Sequence, residues 1–238
     1  MTFIFQMALW IHVVAGFTAI VVLWVPILTR KGNKLHRKSG WVFVISMASI
    51  SVTAIYMGIY RLLWTPDIEA AARSFSWFLI FIAILSGASV WYGLRVLKFK
   101  RRNHPHRQLL DLLFPLALLV SSIAVMIYGW VIGFPLLQYF PIVGLFLGGT
   151  QLVYWVTVPK YRSHWVVEHI SGMLASSIAA ITAFVVFGAP RLLQVESVSL
   201  FIWFLPTIVF TPMIIVFTNY YGRKFAGKVP AAGRKRHG

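Results

Sequence analysis

Seven long apolar segments constrain this chain more than any other feature of its sequence. An α-helix needs roughly 20 residues to cross the hydrocarbon core of a bilayer. A helix also satisfies its own backbone hydrogen bonds, which an open strand cannot do in lipid. We therefore predict an all-α fold, an integral membrane bundle of seven transmembrane helices. The predicted segments are Phe3 to Leu28, Trp41 to Leu63, Phe75 to Leu97, Leu109 to Ile132, Leu136 to Val158, Trp165 to Phe187 and Leu200 to Thr218.

Composition favours the same class of protein. Of the 238 residues, 59% are hydrophobic and only 11% are charged, whereas soluble domains are about 25% charged. A chain of this length has room for one compact bundle and no soluble domain beside it. We expect residues 1–218 to form the seven-helix transmembrane domain, and residues 219–238 to form a basic, disordered cytoplasmic tail.

The basic residues predict the orientation of the bundle. Nineteen of the 22 Lys and Arg residues fall in alternate loops and the tail, and the three others are Arg61, Arg73 and Arg191. Because cytoplasmic loops carry the excess of Lys and Arg, we predict an outside N-terminus and a cytoplasmic C-terminus, in the inner (plasma) membrane. Topology and attraction to anionic lipid head groups account for the net charge of +17, so no nucleic-acid partner is expected.

The absence of cysteine narrows the chemistry. It excludes disulfides, thiolate metal sites, iron–sulfur clusters and covalently attached c-type haem. Non-covalent haem b remains open, as do zinc and iron bound by histidine and carboxylate. The chain also lacks HExxH, Walker, nucleophile-elbow and strand-associated GxGxxG motifs, so no catalytic residue is named and enzyme activity stays open.

His12 is the polar residue that needs an explanation in the first segment, "LWIHVVAGF". It is expected about 14 Å along the helix from its outer end. Two interpretations stay open. The ring is a neutral histidine that bonds a Ser, Thr or Tyr on a neighbouring helix, or it is a haem or metal ligand or a proton relay.

His36 opens the second segment from the basic side, in "KLHRKSGWVF". Its basic neighbours are explained by topology, but the histidine itself is not. Gly40 lies on the same helical face, where a missing side chain would admit a neighbouring helix or a flat ligand. The alternatives are a solvated loop histidine and a ligand.

Glu168 and His169 give the strongest local signal, because two ionisable residues stand together in an otherwise apolar segment. Adjacent residues point about 100° apart, so the two need not share a ligand. Glu168 is expected either to orient a histidine on another helix or to pair with a loop arginine. Met173 lies on the His169 face, either as a core residue or as an axial ligand.

Three further histidines and one carboxylate lie near the basic loops. His104 is expected to be a solvated loop residue, and His106 and His164 are kept as reserve candidates. Asp111 suits the beginning of a helix, where a salt bridge to the basic loops is its simplest role.

The chain resembles a family of predicted bacterial multi-pass membrane proteins. The elements "LWIHVVAGF", "RKGNKLHRKSGWVFVISM" and "VEHISGMLASSIAAITAF" carry the resemblance, as a helix-one His, an HRxxG element and an EHxxxM helix with a TAF-like end. It implies a multi-pass bundle whose polar signature is His12, His36, Glu168, His169 and Met173. The family has no activity that transfers to this chain.

A looser likeness is to b-type membrane cytochromes, which hold haem between transmembrane helices by paired histidines. It implies that His36 and His169 are axial ligands near the cytoplasmic face. The outer half offers only His12, so one haem is expected rather than two. This pairing requires the second and sixth helices to be neighbours, with the two side chains well within about 15 Å.

Four functions follow from these residues. The preferred one is a haem-binding redox protein that uses His36 and His169 and has an electron-transfer partner in the membrane. The alternatives are a proton-coupled small transporter using His12 and Glu168, a metal-dependent membrane enzyme using His36, His169 and Glu168, and a structural or accessory membrane protein. The oligomeric state is left open.

Overall fold

A computed structural model of the protein describes residues 2–66, 68–194 and 200–226. Helices form almost all of this part of the chain, and it contains no β-strand. A 3₁₀ turn (Val96–Lys98) follows the fourth helix and a π-helical turn (Phe184–Gly188) follows the eighth. The α-helices are α1 (Phe3–Val22), α2 (Trp24–Leu28), α3 (Lys34–Trp64), α4 (Ala70–Arg95), α5 (Leu109–Ile132), α6 (Pro135–Tyr139), α7 (Pro141–Val156), α8 (His164–Ala183), α9 (Ala189–Leu193) and α10 (Leu200–Ala226).

Seven helical stretches within the described residues are long and apolar enough to cross a membrane. The predicted all-α bundle with seven spans is therefore confirmed, while its orientation stays a prediction. The last helix continues past Thr218 to Ala226. Residues 227–238 of the predicted tail lie outside the described part. The spans are Phe3–Leu28, Lys34–Trp64, Ala70–Lys98, Leu109–Ile132, Pro135–Val156, His164–Gly188 and Ile202–Ala226.

The turn between α5 and α6 is fixed by its sequence, "GFP". Gly133 ends α5 with a left-handed φ of +67° and donates its N–H to the Gly129 carbonyl. Glycine adopts this conformation without steric cost, and Pro135 then begins the next helix with its φ already set. The two spans are consequently antiparallel neighbours.

Helix α4 lies at the centre of the bundle. Buried residues make up 61% of an 18-residue apolar stretch of its span, against 17% for the corresponding stretches of the first and last spans. It packs against α3, α5 and α8. The first and last spans instead leave large apolar side chains such as Trp10 and Val216 exposed, as lipid-facing helices do.

Helices α4 and α8 touch through their backbones. A Cβ atom placed on Gly172 would lie 2.8 Å from the Cα of Gly93, closer than real Cβ contacts allow. Small residues at such crossings let transmembrane helices approach. This contact sets the position of the residues of α8 near its beginning, including His169.

The basic stretches meet at one end of the bundle, called here the basic end (residues 29–38, 95–107, 157–163 and 217–226). The ammonium of Lys31 lies 5.6 Å from the ring of Tyr221 near the end of α10. The ammonium of Lys100 lies 4.6 Å from the ring of Trp165 at the beginning of α8. The loops that carry most of the Lys and Arg residues therefore lie at the same end of the bundle.

Candidate functional site

The histidines expected to pair are neighbours in the structure. The imidazole rings of His36 and His169 have centroids 6.4 Å apart and planes inclined at 66°. Both rings are half-buried at the basic end. The separation lies far inside the 15 Å limit that a shared ligand sets. The two rings are called the imidazole pair below.

The beginning of α3 positions His36. Asn33 caps this helix, because its side-chain oxygen accepts a hydrogen bond of 2.7 Å from the backbone N–H of His36. The imidazole Nδ1 donates to the carbonyl of Pro26 at 3.1 Å. Pro26 lies in the last turn of α2, where carbonyl groups lack helical partners. Two helix ends therefore orient this ring.

The contact between α4 and α8 positions His169. Its Nδ1 donates to the carbonyl of Gly93 at 2.7 Å. The bond spans the crossing at which Gly93 meets Gly172, so a side chain at either glycine would push the ring away from its partner. The glycines are therefore part of how the ring is held.

Both rings leave their second nitrogen available. A carbonyl can only accept, so each Nδ1 carries the proton and each Nε2 carries a lone pair in the neutral ring. Neither Nε2 has a hydrogen-bond partner among the described residues. Metal-binding histidines are typically held in this way, with the non-ligating N–H bonded to a carbonyl or carboxylate.

Glu168 does not join the imidazole pair. Its Oε2 accepts a hydrogen bond of 2.6 Å from the hydroxyl of Tyr92, which is buried in α4. The arginine partners considered from the sequence form no ion pair with it in the described part of the chain. The sequence does not single out Tyr92 as this partner. Tyr92 lies in an apolar segment 76 positions before Glu168, and nothing in that segment marks a tyrosine that bonds a distant carboxylate.

A three-ligand metal centre is not assembled in the described ranges. No group of three or more histidine, aspartate or glutamate side chains lies close enough there to hold a metal ion. The zinc or iron site of His36, His169 and Glu168 stays a prediction.

A second buried polar network adjoins Glu168. The hydroxyl of Tyr154 hydrogen-bonds Nδ1 of His164 at 2.8 Å, and the Tyr154 ring meets the Tyr92 ring edge to face at 5.6 Å. Arg102 donates to three carbonyls at the end of α7, those of Tyr154, Trp155 and Thr157. The reserve candidate His164 is therefore buried and bonded to Tyr154, in a network that fastens the 99–107 loop.

His12 is distant from the imidazole pair. Its Nδ1 lies 3.0 Å from the hydroxyl oxygen of Thr53 on α3. Thr53 follows His36 by 17 positions in one helix, which corresponds to about 25 Å along the axis. A threonine on a neighbouring helix is one of the partners expected if His12 is a neutral, hydrogen-bonded histidine.

Met173 packs in an apolar cluster beside α3 and α4. The cluster includes Phe43, Met47 and Val90. Met173 lies one turn beyond His169 on α8, with its side chain packed against this apolar cluster. Met173 therefore has the surroundings of a core residue, which was one of the two roles considered for it; the other was that of an axial ligand.

Asp111 lies in a charged cluster at the other side of the basic end. Its two oxygens accept from Arg95 at 2.6 Å each, and one also contacts Nε2 of His106 at 2.7 Å. The His106 ring contacts those of Phe99 and Trp155, which also contact each other. Asp111 therefore forms the salt bridge expected as its simplest role. Its contacts with Arg95 and His106 hold the loop between α4 and α5 against the helix ends.

Lys31 is a neighbour of the imidazole pair that sequence reasoning counted only for topology. Its ammonium donates to the carbonyls of Pro26 and Ile27, at 2.7 Å each. It also lies 5.3 Å from the ring of Phe217. The signal that could have found it is its place three residues after a short proline-containing helix, where a lysine can cap free carbonyls.

Comparison with known proteins assigns no family: no family model, no curated protein and no solved structure matches the chain. The resemblance stated from the helix-one, HRxxG and EHxxxM elements therefore stays a prediction.

Proposed function

We propose that this protein is a membrane redox protein that binds one b-type haem between His36 and His169. The observation that carries the proposal is the separation of the two imidazole centroids, 6.4 Å, combined with two free Nε2 atoms. Neutral imidazole nitrogens are the usual axial ligands of haem in membrane cytochromes of the b type.

The number of available ligands favours haem over zinc. A metal between the two rings would need a bond of about 2.0 Å to each Nε2, and the centroid separation of 6.4 Å is compatible with that. A tetrahedral site would also need further ligands, which Glu168 does not supply because it bonds Tyr92.

Space beside His36 suits a flat group. Gly40 lies one turn along the same face of α3, and a Cβ atom built there meets nothing within 4 Å. The nearby positive charges of Lys31 and Arg37 suit the two propionate groups of haem.

The residues of the site have distinct roles in this proposal. A haem held by two imidazoles supplies one-electron transfer. The Nε2 atoms of His36 and His169 would hold the iron, and the carbonyls of Pro26 and Gly93 fix the ring orientations through the Nδ1 protons. Met173 adds apolar surface one turn along α8 from His169. Such second contacts raise ligand basicity and are costly to remove.

The proposal includes one haem. His12 bonds Thr53, and Thr53 lies about 25 Å from His36 along α3. It also includes the predicted surroundings, which are a cytoplasmic basic end, an inner membrane rich in anionic head groups, and a redox partner in that membrane. We further infer that the resembled family shares this site, since HRxxG contains His36 and Gly40, and EHxxxM contains His169.

An absorption spectrum of the detergent-purified protein tests the proposal, with expression carried out under added haem precursor. We expect a Soret band that sharpens on reduction with dithionite, and iron near one per chain. His36→Ala and His169→Ala should each abolish the reduced low-spin spectrum, whereas His104→Ala, at an exposed loop histidine, should leave it intact. A colourless protein without iron would reject the proposal and leave the transporter, metal-enzyme and accessory functions.

A further inference from the structure

In the described part of the chain, the positive charge of Lys31 has no carboxylate to balance it. The chain contains only five acidic residues. At the basic end, Asp111 is bound by Arg95 and His106, and Glu168 is bound by Tyr92. No carboxylate among residues 2–66, 68–194 and 200–226 forms an ion pair with Lys31.

The surroundings of Lys31 do not replace a counter-ion. Two carbonyls at 2.7 Å and two aromatic rings at 5.3 and 5.6 Å contact the ammonium. A helix C-terminus carries only about half an elementary charge. Burial also lowers the pKa of Lys31 below its ordinary value, since desolvation disfavours the charged form. An anion at this place would remove that cost.

Among the residues that the structure describes, two acceptors bond the ammonium, which leaves one donor over. A lysine has three N–H groups, and the carbonyls of Pro26 and Ile27 take two of them. The Pro26 carbonyl accepts from both Lys31 and the His36 ring, so these two nitrogens lie within about 6 Å of each other. The free donor is therefore held at the edge of the imidazole pair.

We infer that Lys31 is an anion-binding residue of this site, whose third N–H takes an anionic oxygen of the group held beside His36 and His169. The inference rests on the proposed function, in which that oxygen belongs to a haem propionate. A phosphate oxygen of a membrane lipid offers the same chemistry, so the experiment separates the two sources.

Three variants separate the effect of the positive charge of Lys31 from that of its hydrogen bonds to Pro26 and Ile27. Lys31→Gln keeps a donor for the Pro26 and Ile27 carbonyls and removes the charge. Lys31→Arg keeps the charge. Lys34→Gln is the matched control, because Lys34 is an exposed lysine three residues away at the beginning of α3. Circular dichroism and gel filtration of each purified variant report whether it is folded.

Titration of the haem-depleted full chain with haemin, followed at the Soret band, measures the effect. We expect Lys31→Gln to bind haemin about tenfold more weakly, since a charge-assisted hydrogen bond to a desolvated carboxylate contributes about 1.5 kcal/mol or more. Lys31→Arg should stay within about threefold of the wild type, and Lys34→Gln should be unchanged. The reduction potential should fall in Lys31→Gln, because removing a nearby positive charge favours the ferric state.

Haemin dimethyl ester identifies the source of the anion. If the propionate is the partner, the ester should bind the wild type about tenfold more weakly than haemin, and Lys31→Gln should lose nothing further with the ester. If haemin affinity is unchanged in Lys31→Gln but phosphatidylglycerol retention in native mass spectrometry falls, the anion is a lipid phosphate, and the propionate assignment is wrong.

Failure of the proposed function and failure of the anion-binding role of Lys31 give different results. A wild type that binds no haemin refutes the proposed function, and the lipid measurement then tests Lys31 alone. A folded Lys31→Gln that matches the wild type with both haemin and phosphatidylglycerol refutes the anion-binding role and leaves Lys31 as a helix cap.

Discussion

Replacing Gly172 by alanine places a methyl group where α4 and α8 have no room. The new Cβ would lie 2.8 Å from the N and Cα of Gly93 and 2.8 Å from the carbonyl oxygen of Ser89. All three are backbone atoms, so no side chain can rotate away. The two helices must separate, and the bond between His169 Nδ1 and the Gly93 carbonyl must lengthen.

The expected cost follows from two opposing effects. Overpacking of this kind costs typically about 1–3 kcal/mol. Alanine recovers up to about 1 kcal/mol of helix propensity relative to glycine. We therefore expect Gly172→Ala to lose up to about 2 kcal/mol, which corresponds to a Tm lower by up to roughly 8 °C for a chain of this size, and to be about 1–3 kcal/mol less stable than a glycine-to-alanine variant without the clash.

Gly16→Ala is the matched control. Gly16 also lies inside a spanning helix, but a Cβ atom there meets nothing within 4 Å. Its Tm in detergent should be unchanged or slightly raised, because only the propensity effect remains. Thermal unfolding of the two variants and the wild type, in one detergent, measures the difference. A Gly172→Ala protein as stable as Gly16→Ala would refute the backbone contact as described.

Three further predictions use the same assays. Gly40→Ala should keep its Tm, since the Cβ atom meets open space, but should weaken haemin binding if that space receives the flat group. Tyr92→Phe should lower the free energy of unfolding by about 1–3 kcal/mol, because it leaves the Glu168 carboxylate without its donor. His12→Ala should cost only about 0.6 kcal/mol through the lost Thr53 bond, and should leave the haem spectrum unchanged.

Each of these three predictions can be contradicted by one result. Unchanged haemin affinity in Gly40→Ala would place the flat group elsewhere. A Tyr92→Phe variant as stable as Tyr56→Phe, whose hydroxyl forms no hydrogen bond in the described part of the chain, would show that Glu168 has another partner. A lost spectrum in folded His12→Ala would make His12 a ligand.

Most of the architecture could be predicted because it depends on local physics. A long apolar run in lipid must be helical, so the seven segments predict the seven spans. The left-handed glycine and the following proline place the turn after α5 for the same local reason. Even the collection of basic loops at one end follows from alternation along the chain.

The site was predictable in part. His36 and His169 could be singled out, because an unexplained histidine is costly near a membrane. Their hydrogen-bond partners could not be named, since a backbone carbonyl of Gly93 or Pro26 has no signature in sequence. The partner of Glu168 was equally hidden, because tyrosines are common in membrane helices and only packing brings Tyr92 to it.

Residue types and their spacing along the chain therefore account for the helices, their ends and the identity of the polar groups. The distance between those groups is a property of helix packing. It depends on the close crossing of α4 and α8 at Gly93 and Gly172, and on the short helix α2 that presents its free carbonyls to His36 and Lys31. Contacts between residues that are far apart in sequence set that distance, because backbone atoms and apolar surfaces pack in only a few ways.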